Sequence, residues 1–322
     1  MAKLLVWLVG IVALAIGAGL IYLFTTYPAV PPAETQRIEA SPAKLARGTY
    51  LVENVVGCVV CHSDRDWTTF SAPVVAGTLG HGGQRFGFGT APFVLYAKNI
   101  TPSGIGEWTD GELLRAITTG VSRDGTPLFP LMPYRRYARL ARQDVEAIVV
   151  YLRTLAPLPA QPLQPRHLTF PLSLIVRTMP TAPSHGLLPD ASDRVAYGRY
   201  LTNAAVCVDC HTPVDDRGAP LPGLDFAGGM VFMPNGVGLV RSANITPDAL
   251  TGIGTWSEDQ FVEKFRAFRG APPRTLEGAD RLQNTEMPWT YFAGMDDQDL
   301  RAIYAFLRSV PPVTNRVEKF GG

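Results

Sequence analysis

The sequence predicts an all-α chain in which two tandem helical domains follow an N-terminal transmembrane helix. Three observations carry this expectation: an uncharged run of membrane length near the N-terminus, an internal repeat at an offset of about 150 residues, and helix patterns that recur at matching places in both copies. A length of 322 residues suits two ordinary domains, and a hydrophobic content of 46% can fill two cores. The formal net charge of +1 gives no field for a polyanion. With no Gly-rich phosphate loop and no Lys/Arg block in view, nucleic acid is not expected as a partner.

The first element runs from Leu4 through Phe24, twenty-one residues without a charge, led by Lys3. At 1.5 Å per residue this reaches about 30 Å, the thickness of a bilayer's hydrocarbon core. Signal-peptide apolar regions span only about 7 to 15 residues, and no small-x-small cleavage site follows Phe24, so residues 1–27 are expected to stay as an anchor. Lys3 should remain on the cytoplasmic side, which places the rest in the periplasm, held at the cytoplasmic (inner) membrane. Residues 28–41 then form a spacer, 42–157 the first domain, 158–190 a Pro-rich linker, 191–313 the second domain and 314–322 a tail.

The domain boundaries follow the repeat. Gly48-Thr49-Tyr50-Leu51 matches Gly198-Arg199-Tyr200-Leu201. Asn99-Ile100-Thr101-Pro102, followed by Gly104, Ile105, Gly106 and Trp108, matches Asn244-Ile245-Thr246-Pro247, followed by Gly252, Ile253, Gly254 and Trp256. Met132-Pro133-Tyr134 matches Met287-Pro288-Trp289. Self-similarity of this kind reads as duplicated structural units. Within each copy, a helix is expected ahead of Cys58 or Cys207, and another over Asp110 to Thr119 or Glu258 to Phe268. Thr109 with Glu112, and Ser257 with Gln260, are capping boxes that mark the starts of the latter pair. Val145, Ile148, Val149 and Leu152 recur at i, i+3, i+4, i+7, as do Leu300, Ile303, Tyr304 and Leu307, so each domain ends in an amphipathic helix, stopped by Pro157 or Pro311. Arg135, Arg136, Arg139 and Arg142 follow Met132, whereas Asp296, Asp297 and Asp299 follow Met287, which suggests docking of different partners at the two copies; the plainer reading takes the acids as complements of the helix dipole. Glycine-rich stretches at His81-Gly82-Gly83 and Gly228-Gly229 suggest loops or hairpins.

The chemistry sits in a pentapeptide that occurs twice, Cys58-Val59-Val60-Cys61-His62 and Cys207-Val208-Asp209-Cys210-His211. This is the c-type haem attachment signature: two cysteines three positions apart can each form a thioether to one porphyrin, and the next histidine can ligate its iron. Zinc, disulfide and thioredoxin-like readings compete. A closed zinc site wants four ligands, however, and each copy offers two cysteines and one histidine. Two covalently attached haem c groups are therefore expected, on two class I cytochrome c-like domains, bound through Cys58, Cys61, Cys207 and Cys210, with His62 and His211 on the irons. Whether the remaining iron position is filled separates a carrier from a catalyst. Met132 and Met287 occupy matching places, 70 and 76 residues after their histidines, and are the candidate distal ligands. His81, His167 and His185 have no counterpart in the other copy and read as structural. Gly104, Gly106, Gly252 and Gly254 would let backbone approach a porphyrin.

With these motifs in place, the sequence resembles the membrane-bound multi-haem cytochrome c subunits of periplasmic alcohol, gluconate and sorbitol dehydrogenases. The resemblance spans roughly Ala43 to Pro312. It implies Cys58, Cys61, His62 and Met132 at one haem, and Cys207, Cys210, His211 and Met287 at the other. It also implies a non-catalytic electron-transfer role, a flavin- or quinone-dependent dehydrogenase as donor, and a quinone, soluble cytochrome or oxidase as acceptor. Those subunits commonly carry three haem domains and attach to the membrane near the C-terminus, whereas this chain shows two domains and a hydrophobic N-terminus. A di-haem subunit of a haem-copper oxidase and a di-haem peroxidase are the alternative readings.

Overall fold

A computed structural model describes residues 1–87, 91–159, 162, 165–216, 218–234 and 238–320. The chain forms two compact units: Met1–Arg37 with Thr109–Arg139 and Leu168–Ser184, and Ile38–Trp108 with Leu140–His167 and His185–Gly322.

In the first unit, helix α1 (Ala2–Thr26) has no buried residue and is long and apolar enough to cross a membrane. It ends at Tyr27, whose carbonyl accepts a hydrogen bond from Arg177 at 2.6 Å, with the guanidinium lying 4.5 Å from the centre of the Phe24 ring. Helix α5 (Asp110–Thr119) begins where the capping box requires: the Thr109 hydroxyl accepts from the Glu112 amide, and the Glu112 carboxylate accepts from the Thr109 amide. Its Leu113, Leu114 and Ile117 are buried. The short helix α6 (Tyr134–Tyr137) follows Met132-Pro133. The Pro-rich stretch also contributes structure, although four of its residues, 160, 161, 163 and 164, lie outside the described residues. Leu172–Ile175 form helix α8, continued by a 3-10 turn over Val176–Thr178 in which Val176 is fully buried.

In the second unit each copy of the repeat contributes a crossed pair of helices. Helix α2 (Pro42–Tyr50), capped by the Ser41 hydroxyl, packs on α7 (Arg142–Leu152). Helix α9 (Arg194–Ala204) packs on α13 (Asp297–Ser309) in the same way. The shared Gly-x-Tyr-Leu motif explains both crossings. A Cβ on Gly48 would fall 2.0 Å from the Ala147 carbonyl oxygen, and one on Gly198 would fall 1.8 Å from that of Ala302. The helices touch backbone to backbone, and only glycine admits this.

The tyrosine of each motif bonds across to the other copy. Tyr50 donates to Asp299 at 2.6 Å, and Tyr200 donates to Asp144 at 2.6 Å. Arg47 grips Asp144 through two bonds of 2.9 and 2.8 Å. Asp299 is therefore a buried structural acceptor and not, as its place near a helix start suggested, a solvated partner of the dipole.

The glycine-rich stretches are hairpins. Strand β1 (Arg85–Phe86) pairs antiparallel with β2 (Phe93–Tyr96) with Arg85 opposite Tyr96. After the two-residue strand β3 (His167–Leu168), β4 (Val231–Phe232) pairs with β5 (Val240–Arg241) with Val231 opposite Arg241. The second capping box, Ser257 with Gln260, starts helix α11 (Glu258–Arg266), which stops two residues short of Phe268. The fold is mainly helical, with strands confined to short ribbons.

Candidate haem-binding sites

The two signatures form near-identical local structures. Helix α3 (Cys58–Cys61) is preceded by Gly57 at φ 68°, and helix α10 (Cys207–His211) by Val206 at φ 51°. The chain turns through a left-handed residue before each one-turn helix, which presents two cysteines and then the histidine. The histidines are set identically. His62 Nδ1 lies 2.6 Å from the Lys98 carbonyl oxygen, and His211 Nδ1 lies 2.7 Å from that of Ala243. A carbonyl can only accept, so Nδ1 carries the proton in each ring and Nε2 keeps its lone pair for a metal. Burial lowers the pKa of both histidines against the opposing pull of these bonds, which favours the neutral form that iron requires.

The backbone around each histidine is fixed by the hairpin beside it. The carbonyls of His62 and His211 accept from the amides of Gly82 and Gly228 at 2.9 and 2.7 Å. Both glycines have positive φ, and a Cβ on either would lie within 2.6 Å of the strand that carries the acceptor carbonyl. That strand runs into the Asn-Ile-Thr-Pro motif. Asn99 Oδ1 accepts from the Thr101 amide at 2.8 Å, and Asn244 Oδ1 from the Thr246 amide at 2.9 Å. The residue before each repeated asparagine, Lys98 or Ala243, thus orients a histidine. This role was missed in the sequence because it belongs to a main-chain oxygen; its one signal was the constancy of the motif that follows. The Gly-Ile-Gly strings serve this motif as well. A Cβ on Gly104 would sit 2.2 Å from the Asn99 carbonyl oxygen and one on Gly252 2.2 Å from that of Thr246, so both glycines admit a close approach of backbone to backbone beside the motif.

None of the four cysteines forms a disulfide. Desolvation pushes the thiols of the partly buried Cys58 and Cys207 up to about 12, whereas Cys61 and Cys210 lie exposed at the surface. Among the described residues no three His, Cys, Asp or Glu side chains converge as a metal cage. Two cysteines and one histidine without a fourth converging ligand suit thioether attachment of haem better than a closed zinc cage.

Met132 and Met287 also share a local geometry. Each is half-buried, precedes proline, and accepts through its carbonyl from the residue two ahead, Tyr134 at 2.8 Å or Trp289 at 2.9 Å. Met132 belongs to the first compact unit, whereas Met287 shares the second with both signatures. The Glu286 carboxylate acts to raise the thiols of both Cys61 and Cys210. Burial raises the Glu286 pKa despite Arg65, whose Nη1 lies 3.1 Å from its carboxylate. Tyr291 accepts from the Gly57 amide at 2.6 Å and donates to the Val52 carbonyl at 2.9 Å, bracing the turn into the first signature. Two of the remaining histidines have other partners: His81 Nε2 lies 3.2 Å from Asp64, and His185 Nδ1 lies 2.9 Å from the Leu140 carbonyl.

Residues 195–311 match the family described as cytochrome c. Over 295 residues, 86% of its length, the chain is 31% identical to the cytochrome c subunit of the quinone-dependent alcohol dehydrogenase of Gluconacetobacter polyoxogenes, covering 58% of that protein. It is 28% identical over 297 residues to the fructose dehydrogenase cytochrome subunit of Gluconobacter japonicus, covering 87% of this chain and 55% of that one. A diheme c-type cytochrome of Cereibacter sphaeroides is 29% identical over 269 residues, 80% of this chain and 83% of the relative. The chain thus spans a little over half the length of the dehydrogenase subunits it resembles. It contains a cytochrome c domain built to hold covalently attached haem c, and it is a homologue of the cytochrome c subunits of dehydrogenases.

Proposed function

We propose that this chain is a membrane-anchored di-haem c-type cytochrome that passes electrons from a periplasmic flavin- or quinone-dependent dehydrogenase toward the respiratory chain, without a catalytic centre of its own. The observation that carries this reading is the duplicated histidine setting: in both copies of the signature Nδ1 is held by a backbone carbonyl and Nε2 is left to bind a metal. Cys58 and Cys61 would hold one haem c, with His62 and Met132 on its iron. Cys207 and Cys210 would hold the second, with His211 and Met287.

Haem iron, when bound, would supply a one-electron couple, and a methionine thioether among its ligands would raise its potential. The chain's part is orientation and solvent exclusion. The Lys98 and Ala243 carbonyls lock each ring's tautomer and raise the basicity of its Nε2. Helix α1 would hold the haem domains at the periplasmic face of the inner membrane. The names of the relatives support a dehydrogenase as donor.

The test is to purify the tagged protein from its own membranes in mild detergent, measure haem per chain, identify co-purifying chains, and follow haem reduction on adding alcohols, sugars and aldehydes. Two haems per chain and reduction in the presence of a flavin- or quinone-containing partner are expected. Met132→Ala and Met287→Ala should each lower one of two reduction potentials. Unchanged spectra and potentials in both variants would refute the ligand assignment.

A further inference from the structure

The segment that follows the first signature is knitted to the loop that carries Met287. Ser71, with no exposed surface, donates through Oγ to the Met287 carbonyl at 2.8 Å and accepts from the Trp289 amide at 2.7 Å. Its own amide donates to Asn284 Oδ1 at 2.9 Å, and the Asn284 amide group returns two bonds of 3.1 Å to the carbonyls of Trp67 and Thr69. Asn284 Oδ1 also accepts from the Thr285 amide at 2.8 Å, and the Thr285 hydroxyl accepts from the Met287 amide at 3.1 Å. Arg65 reaches Glu286 with Nη1 while donating to the Ala72 and Ser71 carbonyls at 2.9 and 3.1 Å. Main-chain bonds from Leu276 to Thr68 at 2.7 Å and from Phe70 to Arg274 at 2.9 Å extend the seam. Ser71 and Ala72 are held at φ 66° and 41°, an unfavourable region for residues with a side chain, which persists only where surrounding contacts over-determine it.

Among the described residues this arrangement has no counterpart in the other direction. At the matching offsets stand Pro220 in place of Ser71 and Phe129 in place of Asn284, and neither side chain can make these bonds. From this one-sided seam we infer that Ser71 is a positioning residue for Met287: the segment after the first haem signature fixes the methionine loop of the second haem. The inference rests on the reading of Met287 as an iron ligand. Both main-chain groups that Ser71 holds flank the thioether, Met287 through its carbonyl and Trp289 through its amide. Without the hydroxyl those two half-buried groups keep their 2.9 Å bond to each other but lose their tie to the segment after the first signature. The seam gives the first copy of the repeat control over the iron ligation of the second.

The experiment uses the full-length holoprotein and compares Ser71→Ala, Ser71→Gly, Met132→Ala and Met287→Ala. Ser71→Gly suits the positive φ, so it removes the hydroxyl while easing the backbone. The readouts are the far-red sulfur-to-iron charge-transfer band of the ferric protein, carbon monoxide uptake by the ferrous protein, which needs an open iron position, and the two potentials. Met287→Ala should remove about half of the sulfur band and open one iron. The Ser71 variants should shift the balance between ligated and open iron at that haem roughly ten-fold, lowering its potential and admitting carbon monoxide, while the haem affected by Met132→Ala keeps its signature. If Met287→Ala has these effects and both Ser71 variants match the parent, the positioning role is overturned and the ligand stands. If Met287→Ala leaves band and potentials unchanged, the ligand reading falls and the positioning role falls with it.

Discussion

Replacing Gly198 by alanine tests the account of how the helix pairs are held. An alanine Cβ there would lie 1.8 Å from the carbonyl oxygen and 2.4 Å from the carbonyl carbon of Ala302. Carbon and oxygen settle near 3.3 Å, so α9 and α13 would have to separate by about 1.5 Å. No side chain can move aside, because the obstacle is main chain. The gap would run along a buried seam that includes Leu201, Leu300, Ile303 and Leu307, and a gap of 0.5–1 Å already forfeits a quarter to half of each contact's attraction. Overpacking of this kind costs typically 1–3 kcal/mol, and a main-chain clash belongs at the upper end, about 3 kcal/mol. At 2–4 °C per kcal/mol for a unit of this size, the melting temperature should fall by roughly 10 °C. Helix propensity alone predicts the opposite sign, a gain of about 1 kcal/mol for Gly→Ala within a helix. Gly48→Ala should behave alike, since its Cβ would lie 2.0 Å from the Ala147 oxygen and 2.9 Å from the Tyr151 Cβ. Thermal melts of parent and variant holoproteins, followed by far-UV circular dichroism in the same detergent, decide the matter. A variant that melts at or above the parent would show that the crossings are not set by backbone contact.

Tyr200→Phe removes the 2.6 Å bond to Asp144, which is 2% exposed, and leaves that carboxylate to Arg47 alone. A loss of about 2 kcal/mol in urea unfolding is expected, and a change below about 0.5 kcal/mol would remove the cross-bond from the stabilising set. Burial resists ionisation of Glu146, but hydrogen bonds and charges from Lys44 and Arg142 outweigh it and hold its carboxyl below the ordinary value of 4.5. A lowered acid adds stability above its unfolded pKa and loses it as pH falls through the folded one. The parent should therefore lose more stability than Glu146→Gln as the pH drops below about 4.5, and parallel urea midpoints across that window would contradict the assignment.

Much of this architecture was legible because its determinants are local. Thr109 and Ser257 announce their helices through a residue three positions on, and both boxes close as expected. The spacing of Leu300, Ile303 and Leu307 marks the face of α13 that turns inward, whereas α7, read by the same spacing as amphipathic, is buried on nearly every side. What stayed hidden depends on partners distant in sequence. Tyr50 and Asp299 are 249 residues apart, and no pattern around Asp299 distinguishes a buried acceptor from a dipole complement. Ser71 was unremarkable in the sequence because its function is directed at main-chain groups of a segment 216 residues away. The Pro-rich stretch concealed helix α8 because its four residues, three of them apolar, carry too short a pattern to reveal one turn of helix.

The exchange of tyrosine–aspartate bonds has the logic of a symmetric dimer: residue i of one copy meets residue j of the other, and the reverse. Here both partners lie on one polypeptide, so their local concentration is set by the connecting chain and cannot be diluted away. The order of synthesis then matters. Tyr200 can reach Asp144 as soon as α9 has emerged, but Tyr50 has to wait for Asp299, close to the end of the chain. The N-terminal copy is made first yet finished last, and a chain truncated before α13 would leave Tyr50 without its acceptor and α9 without the helix it crosses.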